Sequence, residues 1–365
     1  MASRRFWAGL DVGGASTSIC VVDQSGAIVQ ESTCPSELAA LDREIRWLRR
    51  RRSARVGIEA GTGASLARGL RTLGYTVDIF ETRQLSKFLR VRRNKTDAGD
   101  AAGIAEAGRL GASAVSRVFL KSLDAQALQA ELTIRRQLIR QRVATVNLLG
   151  RMVDLFGGRS IGRAQSNGFR INAAKKLNAL FERSHPLAKE LRYLLSLCEQ
   201  LAAHQREIDH ELSNRASEDE ICRRLMSVPG VGPICALSFK SVIADPHRFV
   251  HSSEIGSYLG LTPRLFQSGQ STRTGGISKM GNRAMRALLV QSAMVFMRSA
   301  PEDCALRQWA TQLEQRRGRR IARVALARKL AIILLVSWKT NNSYCAGAQA
   351  GYMAASRPDP DRPTV

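Results

Sequence analysis

The chain has 365 residues, enough for two or three domains that each bury a core. Its 56 Lys+Arg against 31 Asp+Glu leave a formal charge of +25, with Arg greatly outnumbering Lys. That balance suits bidentate phosphate contacts, fits a small-metabolite enzyme badly and points to a nucleic-acid partner. In chain order, Phe6–Val12, Thr17–Asp23 and Ala27–Thr33 read as strands, the last two joined by the turn Gln24-Ser25-Gly26. A helix over Glu37–Arg52, a strand at Arg55–Glu59, a helix at Leu66–Leu73 and a strand at Tyr75–Phe80 follow, then helices from about Gln84. The order β-β-β-α-β-α-β-α predicts a mixed sheet flanked by helices, with strand-end acids at one rim.

Residues 120–215 turn long, Leu-rich and charged. Leu187, Leu191, Leu194, Cys198, Leu201, Gln205, Ile208 and Leu212 follow a 4,3 spacing; Leu128, Leu132, Ile139, Val146, Leu149, Val153 and Phe156 form a similar seam broken by Arg135 and Arg142. With the Gly/Ser/Asn-containing segment 157–172 between them, these predict an antiparallel hairpin, an intermolecular coiled coil or an ordinary bundle. Residues 222–345 read as mostly helical with a glycine-rich interruption, and the Pro- and Asp-rich tail reads as disordered. The first 110 residues carry 18 basic and 12 acidic side chains, so most of the positive excess lies downstream.

Seven scattered cysteines (Cys20, Cys34, Cys198, Cys222, Cys235, Cys304, Cys345) show no C-x-x-C pair, which argues against zinc and disulfides and for buried thiols in a reducing cytoplasm. The histidines form no H-E-x-x-H pattern. There is no room for a signal peptide before the first strand, and the apolar run Leu330–Trp338 is too short to span a bilayer. A soluble cytoplasmic protein without a membrane partner is expected.

Four acids carry the chemistry. Asp11 and Glu59 lie at strand ends, while Asp97 and Asp100, spaced i, i+3, share a helix face. Four converging carboxylates must either take up protons or bind metal, because like charges about 4 Å apart repel by roughly 4 kcal/mol at an effective dielectric near 20. All-oxygen ligands select Mg²⁺ or Mn²⁺. Downstream, Val228-Pro229-Gly230-Val231-Gly232-Pro233 reads as a turn between helices whose N–H groups at Gly230 and Gly232 can hold phosphate. The segment Gly260–Arg283 reads as a loop rich in hydroxyls, glycines and cations, in which Arg264, Arg273, Lys279 and Arg283 can neutralise phosphates. A serine there is a passive ligand or a covalent nucleophile; chemistry alone favours the passive role, because no general base stands nearby in sequence.

Together these motifs resemble the insertion-sequence transposases of the IS-one-ten type. The N-terminal match is Asp11, Glu59 and Lys95-Thr96-Asp97-x-x-Asp100-Ala101; the C-terminal match runs through Pro229-Gly230-Val231-Gly232, Gly260-Leu261-Thr262-Pro263-Arg264, Ser268-Gly269 and Gly275-Gly276-Ile277-Ser278-Lys279-x-Gly281-Asn282. The resemblance implies a RuvC-like, RNase-H-fold α/β domain over 1–118, a helical coiled-coil linker over 119–215, a mostly helical transposase domain over 216–345 and a tail at 346–365. It implies that Asp11, Glu59, Asp97 and Asp100 hold Mg²⁺, and that Ser268 forms a transient phosphoserine with DNA, with Ser271 and Ser278 as alternatives if the register slips. It further implies double-stranded target and donor DNA, a structured bridge RNA, and a tetramer (a dimer of dimers) in which acids and serine from different protomers form a composite site. Ala98-Gly99 departs from the bulkier residues common there and predicts a looser helix start. Rival readings are a Holliday-junction resolvase without a covalent intermediate, a non-catalytic nucleic-acid-binding protein, and an actin-like sugar kinase suggested by Asp11-Val12-Gly13-Gly14.

Overall fold

The structure is a computed structural model that describes residues 5–51, 53–61, 63–90, 96–156, 169–180, 187–269 and 271–344. The chain divides into two compact units, Met1–Lys121 and Ser122–Val365.

The first unit is a five-stranded mixed sheet in the order β3-β2-β1-β4-β5, with β1 Phe6–Val12, β2 Ser16–Asp23, β3 Ile28–Pro35, β4 Arg55–Glu59 and β5 Val77–Phe80. β1 pairs antiparallel with β2 and parallel with β4, and β5 is parallel to β4. The predicted helix over Glu37–Arg52 is shorter: α1 spans Leu38–Ile45 and gives way to a 3₁₀ turn at Arg46–Arg50. That tighter turn carries Leu48 into the core before the chain enters β4. α2 (Ala64–Thr72) and α1 cover one sheet face, where Ala8, Leu10, Ile19, Val21, Val56 and Ile58 meet Leu41, Ile45, Ala67 and Leu70. Each buried Leu or Ile there contributes about 1.5–3 kcal/mol.

α3 (Thr82–Leu89) and α4 (Asp97–Leu110) complete the unit. α4 lies on the opposite face, against Trp7, Cys20 and Val22. Its contact surface on β1 and β2 is Ala101, Ala102, Ala105 and Gly108, all small, while Ile104 packs over Gly57; the strand positions beneath it include Gly9 and Gly57. Small residues on both sides let helix backbone settle on strand backbone. Residues near 116–118 return along β5, with Phe80 bridging Arg117 and the Val118 N–H donating to Ile79 O at 2.6 Å. Buried Asp78 accepts from Arg55 at 2.6 Å and pairs with Arg117 at 3.1 Å, which satisfies the one charged residue of this core.

The second unit is mostly helical. α5 (Leu123–Leu155) and α7 (Ala188–Glu218), flanking α6 (Phe169–Leu180), pack antiparallel within the chain: Glu131 pairs with Arg215 at 3.2 Å, Arg135 pairs with Asp209, and Val146, Leu149 and Val153 meet Leu191, Leu195 and Cys198. The spacing analysis left hairpin, coiled coil and bundle open; the described pairing is an intrachain helical hairpin. Seam residue Phe156 is exposed, and Leu195, outside the predicted seam, is buried. Arg135, which interrupts the seam, is held by Asp209 at mid-hairpin, with Gln205 also donating to that carboxylate at 3.2 Å.

The base of this hairpin (Leu128, Leu132, Leu212, Ala216) enters a large core formed with α8 Glu220–Met226, α9 Pro233–Ile243, α10 Glu254–Tyr258, α11 Arg283–Ser299, α12 Ala305–Arg317 and α13 Arg319–Thr340. β6 (Pro263–Ser268) and β7 (Ser271–Ile277) form a separate antiparallel hairpin. The predicted loop over Gly260–Arg283 is therefore mainly a β-ribbon, because Thr, Phe, Leu and Arg on both sides of Gly269 suit extended pairing. Six of the seven cysteines are described, and all are buried and in no disulfide; Cys345 and the tail lie outside the described residues. No helix among the described residues is long and apolar enough to cross a membrane.

Candidate active site

Asp11 and Glu59 are neighbours by register. Leu10 stands opposite Ile58 in the parallel β1–β4 pair, so the next residues on the two strands are the two acids. Side chains alternate along a strand. Gly9 and Gly57 face α4, and Asp11 and Glu59, two residues on, follow them to that face. The position of α4 fixes the rest of the rim. A Cβ on Gly9 would lie 2.0 Å from Ala101 O and 2.3 Å from Ala105 N, while one on Gly108 would lie 3.3 Å from Trp7. The helix therefore runs against the direction of β1, and its first turn, with Asp97 and Asp100, stands at the rim where β1 and β4 end.

Local chemistry holds that first turn. Thr96 caps α4, its hydroxyl accepting from the Gly99 N–H at 3.0 Å, and Asp100 N–H donates to Thr96 O at 2.8 Å. A Cβ on Gly99 would come within 2.8 Å of the Thr96 hydroxyl, so Gly99 makes room for the cap. The helix start expected to be loose is a capped turn. Two carboxylates in it also favour the positive end of the helix dipole, by about 0.3–1 kcal/mol each. Asp97 is exposed; Asp11, Glu59 and Asp100 are half-buried. Lys95 of the motif lies outside the described residues.

As to metal, the donor set is all carboxylate oxygen, which suits a hard divalent cation. The four acids share a rim, yet no three acid, His or Cys side chains among the described residues are drawn together closely enough to hold an ion.

Ser268 belongs to the second unit. It is the last residue of β6, opposite Ser271, at the exposed tip of the ribbon beside Gly269 with φ +55°. Every residue of β6, and every residue of β7 except Ile277, is exposed. The root, in contrast, is tightly fitted. A Cβ on Gly260 would lie 1.9 Å from Met280 O, and one on Gly281 would lie 2.1 Å from Tyr258 O. The Arg286 guanidinium donates to Leu259 O, Met280 O and Gly281 O at 2.9–3.1 Å, and its burial together with nearby Arg283 lowers its pKa. Sequence reasoning missed this clamp, because its three acceptors are backbone carbonyls and leave no side-chain signal.

Arg264, Arg273 and Lys279 are exposed along the ribbon and its root, and Arg264 also donates to Ser278 O at 3.3 Å. Lys279 takes φ +57°. Arg283 is exposed on the first turn of α11, which Asn282 caps by accepting from Met285 N–H at 2.9 Å. Gly230 and Gly232 join α8 to α9. At Gly230, φ is +82° and a Cβ would lie 2.5 Å from Ser292 O, so packing against α11 alone requires glycine; Gly232 has open space around it and precedes Pro233 at the start of α9.

Comparison with known proteins adds to this geometry. Residues 8–157 match the DEDD transposase domain of IS110 type, and residues 222–308 match the domain described as transposase IS116/IS110/IS902 family. The chain is 33% identical over 293 residues to the transposase for insertion sequence element IS1328 of Yersinia enterocolitica, covering 77% of this chain and 82% of that protein. It is 32% identical to the transposase for insertion sequence element IS1111A of Coxiella burnetii over 71% of this chain and 70% of that one. It is 30% identical to a probable family 20 transposase of Pseudomonas aeruginosa over 80% and 86% of the two chains. Both domains occur in order, and the relatives span most of the sequence: the chain belongs to the IS110/IS116/IS902 family of insertion-sequence transposases.

Proposed function

We propose that this transposase is an RNA-guided serine recombinase that cuts and rejoins target and donor DNA through a 5′-phosphoserine at Ser268. The observation that carries the reading is the placement of that serine at the tip of an exposed, arginine-bearing ribbon, where a DNA backbone can reach it. In the reaction the Ser268 Oγ–P bond forms as the P–O3′ bond breaks. The serine gives up its proton and the 3′ oxygen leaves as a hydroxyl. The ester keeps the energy of the broken bond, so a different 3′-hydroxyl can reverse the step and join new partners.

Asp11, Glu59, Asp97 and Asp100 are the residues that would hold Mg²⁺, or Mn²⁺ in its place. When bound, such an ion polarises a phosphate and lowers the pKa of a coordinated hydroxyl, which answers the lack of a side-chain base near the serine. Arg264, Arg273, Lys279 and Arg283 neutralise the phosphates flanking the cleaved bond. Gly230 and Gly232 offer backbone N–H groups to DNA in the same reading. The +25 charge supports a second polyanion, a structured guide RNA, to which sequence choice is delegated. The RuvC-like character of the first unit, the coiled-coil role of the helical hairpin, tetramer assembly and action at the nucleoid in the cytoplasm belong to this reading through the family.

The test is a suicide DNA substrate incubated with the protein, divalent metal and RNA transcribed from the DNA flanking the reading frame. An SDS-resistant protein–DNA adduct is expected, and Ser268→Ala abolishes it. An adduct that survives in Ser268→Ala removes the nucleophile assignment, and cleavage without any adduct favours a hydrolytic nuclease.

A further inference from the structure

We infer that Phe266 stacks on a nucleotide base and holds open the DNA step beside the phosphate that Ser268 attacks. The inference rests on the serine reading above and assigns a role to a side chain outside that reading. Register supplies the first argument. Phe266 pairs with Arg273 and Ser268 with Ser271, so these four side chains share one face of the ribbon, while Leu265, Gln267, Thr272 and Thr274 take the other.

The second argument is how the ring is seated. Phe266 is 57% exposed, whereas Phe239 and Phe296 are fully buried. A single exposed apolar residue is ordinary. This one is supported from beneath: a Cβ on Gly275 would lie 3.1 Å from the ring, so glycine at that position leaves the ring room on the ribbon face that carries the serine. The third argument is distance and charge. Two residues along a strand span about 7 Å, roughly twice the 3.4 Å rise of stacked bases. That spacing lets a ring at Phe266 reach a base step next to a phosphate held at Ser268. Arg273 directly across the ladder, with Arg264 on the same face, supplies positive charge for the strand's phosphates. An aromatic ring beside arginines is the combination that holds unstacked nucleotides, and apolar wedges open base steps in the same way.

The experiment compares strand cleavage by the full chain with divalent metal, RNA transcribed from the flanking DNA, and a duplex copied from the element's own ends. Phe266→Ala is expected to slow cleavage by about 5- to 150-fold, the range that loss of one base–aromatic stack gives. Phe266→Trp keeps the rate within about threefold, since indole also stacks. A mismatch at the step beside the cleaved phosphate restores Phe266→Ala to within about threefold of wild type, because the unpaired step no longer has to be opened. Leu265→Ala, which loses a similarly exposed side chain from the opposite face, separates a specific stack from general loss of apolar surface. Equal rates for Phe266→Ala and Leu265→Ala, or no rescue by the mismatch, overturn the inference. Cleavage is scored whether or not a covalent link forms, so the adduct assay on Ser268→Ala judges the serine reading separately.

Discussion

Gly9→Ala tests whether the fit of α4 on β1 sets the acid rim. A Cβ at Gly9 would stand 2.0 Å from Ala101 O and 2.3 Å from Ala105 N. Both are helix backbone atoms, so no flexible side chain can turn aside. Ordinary contact is about 3.5 Å, which requires the helix to lift by roughly 1.5 Å. Overpacking of this kind costs about 1–3 kcal/mol. For a unit of 121 residues that lowers its unfolding midpoint by about 4–12 °C. The same displacement moves Asp97 and Asp100 away from Asp11 and Glu59, and a misplacement of about 1 Å costs on the order of 100-fold in rate. Thermal unfolding by circular dichroism and strand cleavage on the same preparation read the two effects. Gly14→Ala is the control, since nothing lies within 4 Å of its Cβ position, and it should shift stability by no more than about 0.5 kcal/mol. A Gly9→Ala protein with wild-type midpoint and rate would refute the packing argument and its link to the acids.

Asp11→Ala should remove strand cleavage while leaving RNA binding in gel shifts within about twofold, because phosphate contacts from the basic surface dominate affinity; lost RNA binding would indicate a structural role. Nucleic-acid affinity should fall by about 10³-fold between 50 and 200 mM salt, and a flat response by fluorescence anisotropy would count against the arginine-rich surface as the contact. Asp219 caps α8 through Cys222 N–H at 2.9 Å and pairs with Lys240. Burial alone would raise its pKa, but the Lys240 ammonium and the Cys222 N–H outweigh burial and hold it below the ordinary carboxylate value. A depressed folded value means that the stabilisation is full above the unfolded carboxylate range near about pH 4 and is lost as pH falls through the lower folded value. Asp219→Ala should therefore cost about 1–2 kcal/mol at pH 7, and the gap from wild type in urea midpoints should narrow below about pH 4. Cys222, whose pKa is pushed up to about 12 chiefly by burial, should label with a thiol reagent only on unfolding.

Strands β1 and β4 were legible to the residue, because Phe6–Val12 and Arg55–Glu59 are apolar runs bounded by turn residues. The acid pair was legible as spacing. Its placement was not: it depends on α4 crossing the sheet at Gly9 and Gly57, a tertiary contact with no local periodicity. The signal that could have located it was glycine inside two strands together with a small-residue helix, since an interior strand glycine marks close backbone approach. The ribbon was hidden for a different reason. Its strands are exposed on both faces, so hydrophobic alternation has nothing to report, and glycines and hydroxyls there look like loop composition. The helical hairpin was legible as two seams, but whether a seam closes on its own chain depends on partner geometry. The Arg135–Asp209 pair shows how a charge that breaks the pattern can still sit half-buried between the two helices.

The two units share one design. In the proposed reading each holds candidate groups on an element fixed by glycine-mediated backbone contact: Asp97 and Asp100 stand just before the α4 backbone that packs on Gly9, and Ser268 stands at the tip of a ribbon rooted at Gly260 and Gly281. Rigid roots matter because a phosphodiester under attack must be held in line, and any looseness at the root is magnified at the tip. Exposed tips matter for a different reason. On that reading the exposed serine and aromatic ring meet their partners only when DNA covers the ribbon, and the carboxylates meet theirs only when a divalent cation binds. The residues proposed to serve the reaction are therefore expected to contribute little to folding stability, and the glycines beneath them to contribute much. Ser268→Ala and Phe266→Ala should unfold like wild type within about 0.5 kcal/mol, while Gly260→Ala, with a Cβ 1.9 Å from Met280 O at φ +69°, should lower the midpoint of the second unit and slow cleavage together.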